Sequence, residues 1–134
     1  MTSRQGLTYV NPPGFPKPKV ASTYGIRTKP NASLILISGV APLDDEGKNL
    51  VGIDIYTQTC RIIDKIKEVL DSAEATLDDV VSLRVFVTDI KNWERCCEAY
   101  SKYFKQLPTV ALDLVSNLTY RPGQLVEIEA TAAV

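Results

Sequence analysis

Between Ile55 and Ala73 the positions Ile55, Thr59, Ile62, Ile63, Ile66, Val69, Leu70 and Ala73 recur at helical spacing, while Asp64, Lys67, Glu68 and Asp71 fall between them. An α-helix turns once every 3.6 residues, so this pattern lines one face with the first set and the other with charge. It predicts an amphipathic helix, and Asp54 stands where a carboxylate can cap its free N–H groups. The run Val80 to Thr88 is rich in β-branched residues and too short for a core helix, which predicts a strand. Strand alternation then puts Leu83, Val85 and Val87 on one face and Arg84 and Phe86 on the other. Helical spacing returns with Trp93, Cys96 or Cys97, Tyr100 and Phe104, with Asn92 at the cap position. Thr109 to Val115 and Leu125 to Val134 read as strands, with a turn over Tyr120 to Gly123 where Pro122 and Gly123 stop regular pairing. Upstream, Lys19 to Thr28 and Leu34 to Gly39 read as strands joined through Lys29, Pro30 and Asn31, which suggests a hairpin. The proline-rich stretch Asn11 to Pro18 closes an extended N-terminal arm over residues 1–18, and Pro42 to Gly52 reads as a solvated loop.

The resulting order, β, β, α, β, α, β, β, implies an α/β (α+β) fold with one mixed sheet and both helices on one face. The opposite face is left open. With Phe86 beside Arg84 it is only partly polar, and an apolar open face predicts self-association.

Composition narrows the chemistry. A length of 134 residues fits a single domain spanning residues 1–134. The net charge of −1 argues against a nucleic-acid partner, which needs a clustered basic surface, and no apolar run has the length of a membrane span. The first residues lack the basic and apolar blocks of a secretory signal, so a cytoplasmic location is expected. Cys60, Cys96 and Cys97 have no metal-type spacing and read as reduced, partly buried thiols. The sequence has no histidine, which removes the commonest metal ligand and general base; a zinc site and a Ser-His-Asp triad are therefore not expected. The stretch LDDEGKNL, Leu43 to Leu50, lacks calcium-loop spacing and reads as a solvated loop. No metal or cofactor is expected, and a small molecule or a protein is the more plausible partner.

Five segments, SLILISGVAPLD (Ser33 to Asp44), DIYTQTCRIIDKIKEVLDSA (Asp54 to Ala73), TLDDVVSLRVFVTDIKNW (Thr76 to Trp93), EAYSKYF (Glu98 to Phe104) and VEIEATAAV (Val126 to Val134), occur in the order found in one known family. In these the chain resembles the Rid (YjgF-like, reactive intermediate deaminase) proteins. The resemblance implies a chorismate-mutase-like fold and a homotrimer around a central barrel, with pockets at subunit interfaces. In deaminating members water attacks a reactive imine or enamine, often 2-aminoacrylate or its imine, giving a 2-keto acid and ammonia. The protein need supply only a cation for the substrate carboxylate, a carboxylate to orient water, and backbone groups that hold the nitrogen.

By this resemblance Glu127 is the water-orienting glutamate. Alternation sends Glu129 to the same face, and the other reading is that both are solvated strand carboxylates. Ser38 and Gly39 match the family's Ser-Gly at the pocket, against the reading of Gly39 as a plain bulge residue. Tyr24 lies where a family tyrosine closes the pocket; a packed tyrosine is the alternative. Val110 stands in LPTVALDLV where deaminating members carry an arginine, so efficient 2-aminoacrylate hydrolysis is not expected. Two residues can compensate: Arg84, unless it lies at the barrel interior or rim and pairs with an acid of a neighbouring subunit, and Arg121, unless it is a solvated loop residue. A one-residue register slip would bring Asp113 toward the pocket, and an Asp113–Glu127 pair favours a cationic or neutral substrate. Phe86, Val110 and Leu112 suit an apolar pocket. Glu74 replaces the family's glycine after the long helix, a left-handed cap position. Three functions remain open: an imine or enamine hydrolase, a non-catalytic metabolite- or protein-binding trimer, and a recruited lyase, cyclase or tautomerase. The ribonuclease label attached to some relatives gains little support in a chain without histidine or a basic patch.

Overall fold

The computed structural model describes residues 6–43, 50–118 and 121–134. Its elements run β1 (Thr8–Val10), β2 (Gly25–Arg27), β3 (Leu34–Val40), α1 (Ile55–Ser72), β4 (Val80–Val87), α2 (Trp93–Ser101), β5 (Thr109–Leu114) and β6 (Val126–Ala133), with 3-10 turns at Leu77–Asp79 and Ile90–Asn92. The main sheet is mixed, in the order β3-β6-β4-β5: β6 runs antiparallel to both neighbours, and β4 and β5 are parallel.

Helix α1 covers nearly the span that its periodicity predicts. The Asp54 carboxylate accepts the Thr57 N–H at 2.9 Å. That bond holds the Asp54 carboxyl below its ordinary range. Ile55, Thr59, Ile62, Ile63, Ile66 and Leu70 are buried, each large aliphatic side chain contributing roughly 1.5–3 kcal/mol. The buried stripe is narrower than the sequence pattern suggests, since Val69 is exposed at the flank of the helix. At its C-terminus the Glu74 N–H reaches the Asp71 carbonyl and the Ala75 N–H reaches that of Leu70, with Glu74 at φ 56°. This is the left-handed cap expected there.

Val80, Leu83, Val85 and Val87 of β4 and Val126, Ile128, Ala130 and Ala132 of β6 meet the helices in one core with Ile63, Cys96 and Tyr100. Burial pushes the Cys96 thiol up to about 11, with Thr59 Oγ1 at 3.4 Å. All three cysteines are free. No helix among the described residues is long and apolar enough to cross a membrane.

Three local expectations are corrected. The hairpin expected between Lys19–Thr28 and Leu34–Gly39 does not form: the second segment is strand β3, but of the first only Gly25–Arg27 is strand, and it pairs with Thr8–Val10 inside the arm expected to be merely extended. Three residues have too few ladder bonds to announce a partner, and the sequence between β2 and β3 contains a left-handed Asn31, φ 63°, that turns the chain away. Asn92 makes no side-chain cap bond and is itself helical; Asp89 caps the 3-10 turn before it by accepting the Lys91 N–H. Of the loop stretch Leu43 to Leu50, residues 44–49 lie outside the described residues, as does Tyr120 of the expected turn.

Candidate functional site

The sheet face turned away from the helices carries the polar chemistry. On β6, Glu127 and Glu129 alternate with fully buried Val126 and Ile128, so both carboxylates emerge on this face, as alternation predicts. Across the ladder Phe86 stands opposite Glu127 and Arg84 opposite Glu129, while on the other side Asp113 stands opposite Phe86. Arg84 Nε lies 3.7 Å from Asp113 Oδ2, and Nη1 lies 3.6 Å from Glu129 Oε1. All three side chains are about half exposed, so each pair is worth only ~0–1 kcal/mol. Its geometric effect is larger, because the guanidinium is held between two strands. Arg84, Glu129, Ser82, Ala111, Thr131 and Leu36 border a recess of about 360 Å3.

Strand β3 adds backbone to this face. Ile37 pairs with Ala130 and Val40 with Ile128, so Ser38 and Gly39 together oppose one residue of β6. The bulge turns both outward and exposed. A Cβ on Gly39 would stand 2.7 Å from Glu127 Oε2 and 3.1 Å from its Cδ. Gly39 is thus a bulge residue, and its missing Cβ is what lets the Glu127 carboxylate lie against the β3 backbone.

The remaining candidates are elsewhere. Val110 and Leu112 pair in register with Leu83 and Val85, and so face the helices and pack on the core rather than lining a pocket with Phe86. The parity of a parallel pair is fixed by its register, which the sequence does not state. Asp113 takes the open face in this register without any slip. Tyr24 donates its hydroxyl to the Pro16 carbonyl at 2.6 Å, and its ring meets Phe15 edge-on at 5.0 Å. Together they line a separate recess of about 300 Å3 with Asn11 and Leu107. Within one chain Tyr24 therefore belongs to a different recess. Arg121 sits in the turn before β6, where its carbonyl accepts the Gln124 N–H. No group of three or more Cys, Asp or Glu side chains among the described residues is arranged to hold a metal ion.

Sequence reasoning passed over Gln58. It is fully buried, donates through Nε2 to the Ile53 and Gly123 carbonyls, and accepts the Leu125 N–H at 2.8 Å through Oε1. It thereby ties the N-terminal turn of α1 to the backbone that leads into β6 and Glu127. The signal was present, since an amide on the apolar stripe of an amphipathic helix must find buried partners. Gly123, φ 81°, allows this closure because a Cβ there would collide with the backbone of Leu50 and Val51.

Residues 16–134 match the family model described as Endoribonuclease L-PSP. The chain belongs to that family, which includes the Rid proteins. It is 40% identical over 93 residues to a RutC family protein of Saccharolobus solfataricus, covering 69% of this chain and 71% of that one. A RutC family protein of Pyrococcus abyssi is 37% identical over 101 residues, covering 75% and 78%. Among solved structures, the Rid family protein YyfB of Yersinia pestis superposes with a TM-score of 0.79 at 27% identity, covering 96% and 98% of the two chains. The fold is accordingly the mixed, chorismate-mutase-like one of the Rid family.

Proposed function

We propose that this Rid-family chain hydrolyses a reactive imine, enamine or related unsaturated small molecule, acting as a cytoplasmic homotrimer with Glu127 orienting the attacking water. The observation that carries this reading is the packing of the Glu127 carboxylate against Gly39. It sets a proton acceptor beside exposed backbone on an open sheet face, where a small planar electrophile can rest against both. Exposed Leu34 and Leu36 on the same sheet support burial of this face against other copies. Three free cysteines support a reducing compartment. Val110, packed on the core, leaves the family arginine unreplaced at its own position, so turnover of 2-aminoacrylate is expected to be weak. RNA cleavage is a poorer reading for a chain with no histidine and a face dominated by carboxylates.

The test is hydrolysis of imines generated in situ by the purified protein and by Glu127→Gln, with 2-aminoacrylate as one substrate and Val110→Arg alongside. Loss of about 100-fold or more in Glu127→Gln is expected. Equal rates in Glu127→Gln and wild type would remove Glu127 from the mechanism. Stable binding of such a molecule with no turnover would favour the second reading, a metabolite-binding trimer, which the half-buried Val110, packed against the core in place of an arginine, supports. A monomer in light scattering would overturn the interface pocket.

A further inference from the structure

The charges on the open face go further than the reaction class. We infer that the molecule hydrolysed at Glu127 is an imine without a carboxylate, neutral or protonated to the cation, rather than a 2-imino acid; this rests on the reading of Glu127 above. The described strands bring Glu127, Glu129 and Asp113 to this face with Arg84 as their counter-charge, a balance of minus two. Arg84 is already flanked by carboxylates on both sides, at 3.6 and 3.7 Å. A substrate carboxylate would have to displace one of these acids and then lie close to Glu127. Val110 offers it nothing, being turned to the core.

The same arrangement suits a cation. Phe86 stands in register between Glu127 on β6 and Asp113 on β5, so a flat aromatic side chain is flanked by two acceptors. A protonated imine resting there gains from both carboxylates and from the ring face. It is also the more electrophilic form. Water oriented by Glu127 adds through oxygen to the imine carbon, and one water proton passes to the nitrogen. The resulting carbinolamine collapses as the C–N pair leaves with nitrogen, giving an aldehyde or ketone and ammonia or an amine. The hydroxyl proton is released, and no oxidation or reduction occurs.

The experiment compares two imines with the same side chain, made in situ by oxidising an amine and the matching amino acid and followed by carbonyl formation. Wild type should accelerate the carboxylate-free imine at least about tenfold more than the imino acid. Equal or reversed preference would overturn this inference while leaving imine hydrolysis intact. Acceleration of neither would overturn imine hydrolysis itself, and this inference with it. The double variant Asp113→Asn, Glu129→Gln frees Arg84 and should move the preference about tenfold toward the imino acid. An unmoved ratio in folded double variant would show that Arg84 and its acids do not set substrate charge.

Discussion

At the scale of single residues, Gly39 and Glu74 make opposite use of the backbone. Gly39→Ala inserts a methyl where the Glu127 carboxylate now lies, and the end of a flexible side chain can retreat at little cost. The melting temperature should therefore hardly change, while displacement of the carboxylate by even 1 Å should lower kcat/KM about 100-fold on the accepted imine. A Gly39→Ala protein with full activity would deny that the contact matters. Glu74 carries a side chain at φ 56°, where an L-residue is strained by roughly 1–2 kcal/mol. Glu74→Gly should raise stability by about 0.5–1 kcal/mol in urea unfolding, with activity unchanged. The Glu74 conformation was legible through the family resemblance, which puts a glycine at that left-handed cap position. The sequence made the faces of Arg84, Glu127 and Glu129 legible too, because alternation along a strand needs no partner. Cross-strand neighbours were not legible: Val110 and Leu112 go to the core and Asp113 to the open face by a register that only pairing fixes.

At the scale of elements, α1 was readable from end to end because its information is local: one apolar stripe and one capping carboxylate. Asp54→Ala should cost about 1 kcal/mol at neutral pH. The folded state holds the Asp54 carboxyl below its unfolded value, so the cap stabilises fully above about pH 4 and loses its contribution as pH falls through the folded value. The stability gap between wild type and Asp54→Ala should accordingly be constant from pH 5 to 8 and shrink toward pH 2, as measured by denaturant midpoints; a gap that persisted in acid would assign the effect to packing. The short β1–β2 pair shows the opposite limit. Neither of its three-residue strands carries a pattern long enough to choose a partner, and the pairing bridges residues too far apart in sequence for turn chemistry to reveal it.

At the scale of the whole molecule, the helices and sheet leave one face uncovered, and Leu36 on its edge strand is 76% exposed. Leu36→Lys should dissolve the proposed trimer to monomers in light scattering while shifting the stability of the isolated fold by less than about 0.5 kcal/mol. A trimer unaffected by that charge would put the interface elsewhere. Both the two-layer architecture and the uncovered face could be drawn from the order of elements; the strand order β3-β6-β4-β5 could not, because it depends on where the last strand inserts. That insertion bears on how the protein is made. Strand β6 sits between β3 and β4, bonded to both, so neither can acquire its antiparallel neighbour while the ribosome is still synthesising residues 126–133. Until then the nascent chain exposes the inner faces of β3 and β4 together with the apolar stripe of α1, and a message truncated before Val126 would yield a product for chaperones and proteases rather than a smaller version of the fold.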